Sequence, residues 1–130
     1  MKKLLILLFS ILISFNSYGE WEEFSKEYDS FSDSYYTFYT DKDRIKEHKG
    51  YVYYWFLDVY PKPNEYGDYK KENYFQGDCV VYRYSKLTSV WYRKWGEEKR
   101  VSESYDLDWE YPFPDSLEGR MLSYVCDYVD

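Results

Sequence analysis

The residues able to do chemistry are few, and their spacing does not suit it. Cys79 and Cys126 are the two thiols and His48 the single imidazole among 130 residues. Nucleophilic hydrolysis of the usual kind needs a histidine beside a serine or a thiol. His48 lies instead in Asp41 to Gly50, DKDRIKEHKG, a polar run that reads as a solvated loop. A redox pair would be spaced Cys-x-x-Cys, and a structural zinc site would take four Cys or His ligands, so neither fits. Asp41-x-Asp43 resembles the opening of a calcium loop, but Ile45 and Lys46 stand where that loop needs an oxygen ligand and a glycine. Asp106, Asp108 and Glu110 alternate along a short run, a pattern that usually marks the solvated face of a strand rather than a carboxylate pair at work. No catalytic constellation, cofactor motif or metal set emerges, and a non-enzymatic role is expected.

The meaning of the two thiols depends on compartment. Lys2 and Lys3 precede the apolar run Leu4 to Phe15, and Ser17-Tyr18-Gly19 follows it. That is the layout of a secretory signal peptide over residues 1–19, cut before Glu20. The run is about a dozen residues, well short of the roughly 20 that span a bilayer. No cysteine stands at the cut to take a lipid. The expected product is residues 20–130, exported to the periplasm or beyond and not lipid-anchored. In an oxidising compartment a lone pair of thiols in a small domain forms a disulfide, so Cys79–Cys126 is expected. Closing a loop of about 48 residues corresponds to roughly 4 kcal/mol in the chain-entropy model.

Charge narrows the partners. Loss of Lys2 and Lys3 takes the net charge from −7 to −9. Such a surface repels phosphate backbones and anionic lipid, which argues against nucleic acid and membrane surfaces. Acidic chains that stay disordered lack aromatic residues, whereas this one has 19 Tyr, 8 Phe and 5 Trp. It should fold, with ring area supplying most of the burial.

The elements are mainly strands. Trp21, Phe24 and Tyr28 open the mature chain weakly, and Ser34 to Thr40, SYYTFYT, has the aromatic and β-branched content of a strand. Tyr51 to Tyr60, YVYYWFLDVY, is the clearest strand and ends at Pro61-Lys62-Pro63. Its alternation puts Tyr51, Tyr53, Trp55, Leu57 and Val59 on one face and Val52, Tyr54, Phe56, Asp58 and Tyr60 on the other. Both faces are apolar or aromatic, as in a strand covered on both sides or a sheet with one core face and one adhesive face. Glu65 to Lys71 reads as a polar link. Tyr74 to Lys94 then holds at least two strand-like runs, with Cys79-Val80-Val81-Tyr82 near the start and Val90-Trp91-Tyr92 near the end. A turn at Gly96-Glu97-Glu98 and a last strand over Val101 to Trp109 complete the β portion. Ser116 to Cys126, SLEGRMLSYVC, carries an apolar stripe at helical spacing, preceded by Pro112 and Pro114, with Asp115 and Glu118 placed as a capping box. A helix of about three turns needs a surface to pack on. The fold class is therefore α+β, an antiparallel sheet with one C-terminal helix tied to it by the disulfide.

In order and spacing, Trp21, Tyr39-Thr40-Asp41 with Ile45, Trp55, Gly77-Asp78-Cys79 followed by Arg83 and Leu87, Trp109, Pro114-Asp115-Ser116 and Val125-Cys126 resemble the bacterial surface adhesin E-like domain. The resemblance spans Trp21 to Cys126. It implies a twisted antiparallel sheet of about six strands with a C-terminal helix tied across one face, and contact with protein or extracellular-matrix ligands. It transfers no binding residues individually beyond the cysteine pair. This chain departs from the named adhesin in lacking a lipidation cysteine and in its abundance of tyrosine. More rings than a small core can hold implies exposed ones, favoured material for contact surfaces. Tyr53, Trp55, Trp91, Tyr92 and Trp95 are the candidates for an adhesive face, which could equally serve a homodimer. The competing expectation is a structural or stress-related periplasmic protein with a polar, patch-free surface and no specific ligand.

Overall fold

Strand β4 (Tyr51–Val59) organises the molecule, because its neighbours on both sides are built around its two apolar faces. The computed structural model describes residues 20–93, 99–103 and 108–130. Within them β1 (Glu22–Asp29), β2 (Ser34–Thr40), β3 (Lys46–His48), β4, β5 (Asp68–Asp78), β6 (Arg83–Arg93) and β7 (Lys99–Glu103) form one antiparallel sheet. The order is β1-β2-β4-β5-β6-β7, and β3 shares with β2 the same edge of β4. A helix, α1 (Leu117–Val129), follows the sheet.

The expected alternation of β4 holds, and the helix decides what each face does. Val52, Tyr54 and Phe56 are buried beneath α1 with Phe75, Tyr84, Met121, Leu122 and Val125. Tyr51, Tyr53 and Trp55 lie half-buried on the opposite, helix-free face. Burying side chains such as Leu122 and Val125 contributes about 1.5–3 kcal/mol each. The close seat of the helix depends on Gly77, where a Cβ would stand 2.7 Å from Leu122 Cδ1. Four polar ties hold α1 in register. The Tyr82 hydroxyl donates to the Gly119 carbonyl at 2.8 Å and lies 2.8 Å from Ser123 Oγ, and Arg120 donates to Ser25 and Glu27 of β1. Cys79 and Cys126 are bonded, as expected, with their Cα atoms 5.7 Å apart.

Several local expectations are corrected. Cys79 to Tyr82 is a turn and not a strand: both N–H groups of Val80 and Val81 donate to Asp78 Oδ1, and Tyr82 takes a left-handed φ of 63°. The carboxylate at the end of β5 thus offers the backbone a better partner than another strand would. The helix cap is Ser116, one residue later than Asp115, because its Oγ accepts from the Gly119 N–H. The helix also runs on to Val129. The run DKDRIKEHKG contains a 3₁₀ turn at Lys42–Arg44, capped by Asp41, and then β3, where His48 is exposed. The polar link expected over Glu65 to Lys71 already includes the start of β5 at Asp68. The last strand begins at Lys99 and ends at Glu103, and farther on Glu110 pairs with Tyr84 through two backbone hydrogen bonds. The turn expected at Gly96-Glu97-Glu98 lies outside the described residues, as does Asp106.

Candidate functional site

The helix-free face carries an ordered set of rings. Residues directly opposite in neighbouring strands point to the same side. On that rule Tyr53 and Trp55 of β4 share a face with Tyr74 of β5 and Tyr92 of β6. Tyr74 stacks on Trp55 with ring centres 4.6 Å apart and lies 6.1 Å from Tyr53. At one end of this stack the Arg44 guanidinium sits 4.9 Å from the Trp21 ring centre and 5.3 Å from that of Trp55. Asp41, 2% exposed, accepts from Arg44 Nε at 2.8 Å and so fixes the guanidinium between the two indoles.

The other end repeats this device. Asp78 accepts from Arg83 Nε at 3.0 Å, and Arg83 lies 4.1 Å from the centre of the Trp109 ring, which in turn meets Tyr51. Burial pushes the Asp78 carboxyl up, but the Val81 N–H, the Arg83 guanidinium and the Val80 N–H outweigh it and hold it below the ordinary value. Each arginine is therefore charge-matched beneath and offers its plane to an aromatic ring. The result is a pre-ordered platform of low conformational freedom, the kind of surface that loses little entropy on contact.

Of the five residues expected to form one adhesive face, the four described ones do not all come together. Tyr53 and Trp55 are at the centre of the platform, and Tyr92 is at its far side with Lys70 4.8 Å from its ring centre. Trp91 points to the helix side, between Lys71 at 4.9 Å and Arg100 at 5.3 Å. Neighbouring strand positions must face opposite ways, so Trp91 and Tyr92 cannot share a surface. Trp95 lies outside the described residues. Tyr74, Trp21, Arg44, Arg83 and Trp109 join the platform although their sequence context does not mark them as site residues. The Asp41-x-x-Arg44 spacing is the one signal in the sequence that could have exposed part of the set.

On the helix side, beyond the end of α1, the sheet is polar. Ser89 donates to Asn73 and Asn73 donates to Asp58 at 3.0 Å, a chain running along the floor of a cleft of about 420 Å³. Burial raises the Asp58 carboxyl to about 6, against the pull of Asn73, Lys71 and Lys86. Burial, with Lys86 beside it, lowers the Lys71 amine to about 8. Among the described residues no group of three His, Cys, Asp or Glu side chains is arranged to hold a metal ion. No helix there is long and apolar enough to cross a membrane.

The family model for surface-adhesin protein E matches residues 21–127, nearly the whole described fold. The chain belongs to that family. No curated protein matches it at a significant level. The family match takes in both cysteines, the Asp41–Arg44 and Asp78–Arg83 pairs and every ring of the platform.

Proposed function

We propose that this member of the surface-adhesin protein E family is an exported, non-catalytic binding module whose helix-free sheet face docks on a protein, a matrix component being the first candidate. The mature module is residues 20–130, with residues 1–19 as its signal peptide. The observation that carries the reading is the Trp21–Arg44–Trp55–Tyr74 array, in which a buried aspartate immobilises the arginine among rings that remain half-exposed. Tryptophan, tyrosine and arginine dominate contact energetics because they bring large area at small entropic loss.

The test is retention of the purified protein on immobilised matrix proteins, followed by interferometry. Replacing Trp55 and Tyr74 together by alanine should weaken retention at least about tenfold, since each central anchor contributes on the order of 1–2 kcal/mol. Melting curves of wild type and variant must stay alike for the comparison to count. Equal retention of the double variant, or no retention of the wild type on any matrix preparation, would overturn the proposal.

A further inference from the structure

We infer that the cleft on the helix side is a second binding site, one that takes a primary ammonium group carried on an apolar stem. The volume, about 420 Å³, is in the range of small-ligand sites, roughly 300–1,000 Å³. Three carboxylates line it, Asp58, Glu110 and Glu118, against one cation, Lys86. Glu118 acts electrostatically on both Asp58 and Tyr84, and the Tyr84 hydroxyl donates to Glu110 Oε2 at 2.5 Å, so the three carboxylates share one field. That field repels an anion and attracts a cation.

Lys86 does not balance it. Its charge acts on Asp58, and its Nζ lies 5.9 Å from the centre of the Phe75 ring. Among the described residues neither Glu110 nor Glu118 has an ion-pair partner. The place Lys86 takes also shows what the floor accepts, a primary ammonium beside a phenyl ring. Tyr84 offers a second ring: burial, then the hydrogen bond to Glu110, push its phenol upward and keep it protonated. Phe38, Leu117 and Met121 complete the walls with apolar surface. A neutral ligand would cover Glu110 and Glu118 and leave them without a partner, at a loss, whereas an ammonium pairs them while its stem lies on the walls.

Asp58 links the site to pH. It pairs with Phe38 of β2 and is acted on by Asn73 and Lys71 from β5, Lys86 from β6 and Glu118 from α1. Burial outweighs the pull of Asn73 and the two lysines and raises its carboxyl to about 6. At pH 7 the carboxyl is mostly ionised and adds to the field, and at pH 5 it is mostly neutral. An ammonium should therefore bind more tightly at pH 7. This site shares no residue with the helix-free face, so the two proposals stand or fall separately.

The experiment is an amide NMR titration of the disulfide-intact protein at pH 7 and pH 5 with phenethylamine and with N-acetyl-lysine methylamide. N-acetylphenethylamine and 3-phenylpropionate serve as the neutral and anionic counterparts. At least one amine should shift resonances around Tyr84, Glu118 and Met121 at millimolar concentration, and both counterparts should bind severalfold more weakly. The tighter amine names the source, a free amine or a protein lysine. Both amines stay protonated over this range, so any change with pH comes from the protein. Going from pH 7 to pH 5 should weaken binding by up to about tenfold, and Asp58→Asn should bind at pH 7 as weakly as the wild type does at pH 5. Glu118→Gln should weaken binding severalfold, whereas Asp127→Asn, outside the cleft, should not. The wild-type panel decides even if a variant folds poorly. No shift with either amine, shifts as strong across the rest of the acidic surface, equal binding of the neutral form, or equal affinity at both pH values would overturn the site.

Discussion

Two regions of the sheet treat charge in opposite ways, the arginine-paired aspartates and the floor of the helix-side cleft. On the helix-free side each buried aspartate is matched by an arginine, Asp41 by Arg44 and Asp78 by Arg83, and each arginine is covered by tryptophan. On the helix side Asp68 is likewise matched by Arg100, which lies over Trp91, whereas the half-buried Asp58 and Lys71, close enough to feel each other, are both pulled toward neutrality by burial. Balanced pairs make a rigid platform. Imbalanced ones keep interaction energy in reserve, which is a recurring mark of sites that await a ligand.

The largest expected effect breaks the tie between the two sides. Replacing Cys79 and Cys126 by serine should lower stability by roughly 3–4 kcal/mol in urea denaturation, because the unfolded chain regains loop freedom. A loss under about 1 kcal/mol would mean that packing around Leu122 and Gly77 holds the helix without help.

The second sharpens the contrast in charge. With Asp58 titrating near 6 when folded and near 3.8 when unfolded, the folded state keeps a proton that the unfolded state has lost. Stability should therefore fall as pH rises from about 4 to about 6. Lys71, lowered from 10.5 to about 8, should restore stability as pH rises from about 8 to about 10.5. Asp58→Asn keeps an acceptor for Asn73 and should stabilise the protein by about 2 kcal/mol at pH 7 and hardly at all at pH 4. Equal effects at both pH values would contradict the assignment.

The smallest probes the platform. Arg44→Lys removes the planar guanidinium shared by Trp21 and Trp55 while keeping a cation for the buried Asp41, and should change stability by only about 0.5–1 kcal/mol. Its clearer readout is Trp21 and Trp55 fluorescence, which should shift as the indoles lose their common partner. An unchanged spectrum would show that Asp41 and Arg44 do not order the rings.

What could be read in advance follows from range. Alternation along Tyr51 to Tyr60 and helical spacing over Leu117 to Val125 are local, and the cysteine pair needed only a compartment, so sheet, helix and bridge were all legible. Charge pairing across the fold was not, since Asp78 finds Arg83 only after the chain turns back at Cys79 to Tyr82. That turn itself reads as strand because Val80, Val81 and Tyr82 have strand-like side chains while Asp78 captures their backbone. Trp91 reads as part of the adhesive face because its true side is set by pairing with Lys71, a register that a bulge beside Leu87 resets.

The bridge also dictates how the molecule meets a mechanical pull. Tension on the chain beyond Cys126 passes through sulfur straight into the end of β5, the immediate neighbour of the central strand. Strands β6 and β7 and most of the helix lie between the two sulfurs, 47 positions apart in sequence, and are bypassed. That length of polypeptide cannot pay out as slack under drag until a reductant reaches the link, so yielding has to begin elsewhere, at the outer hairpin of β1 and β2.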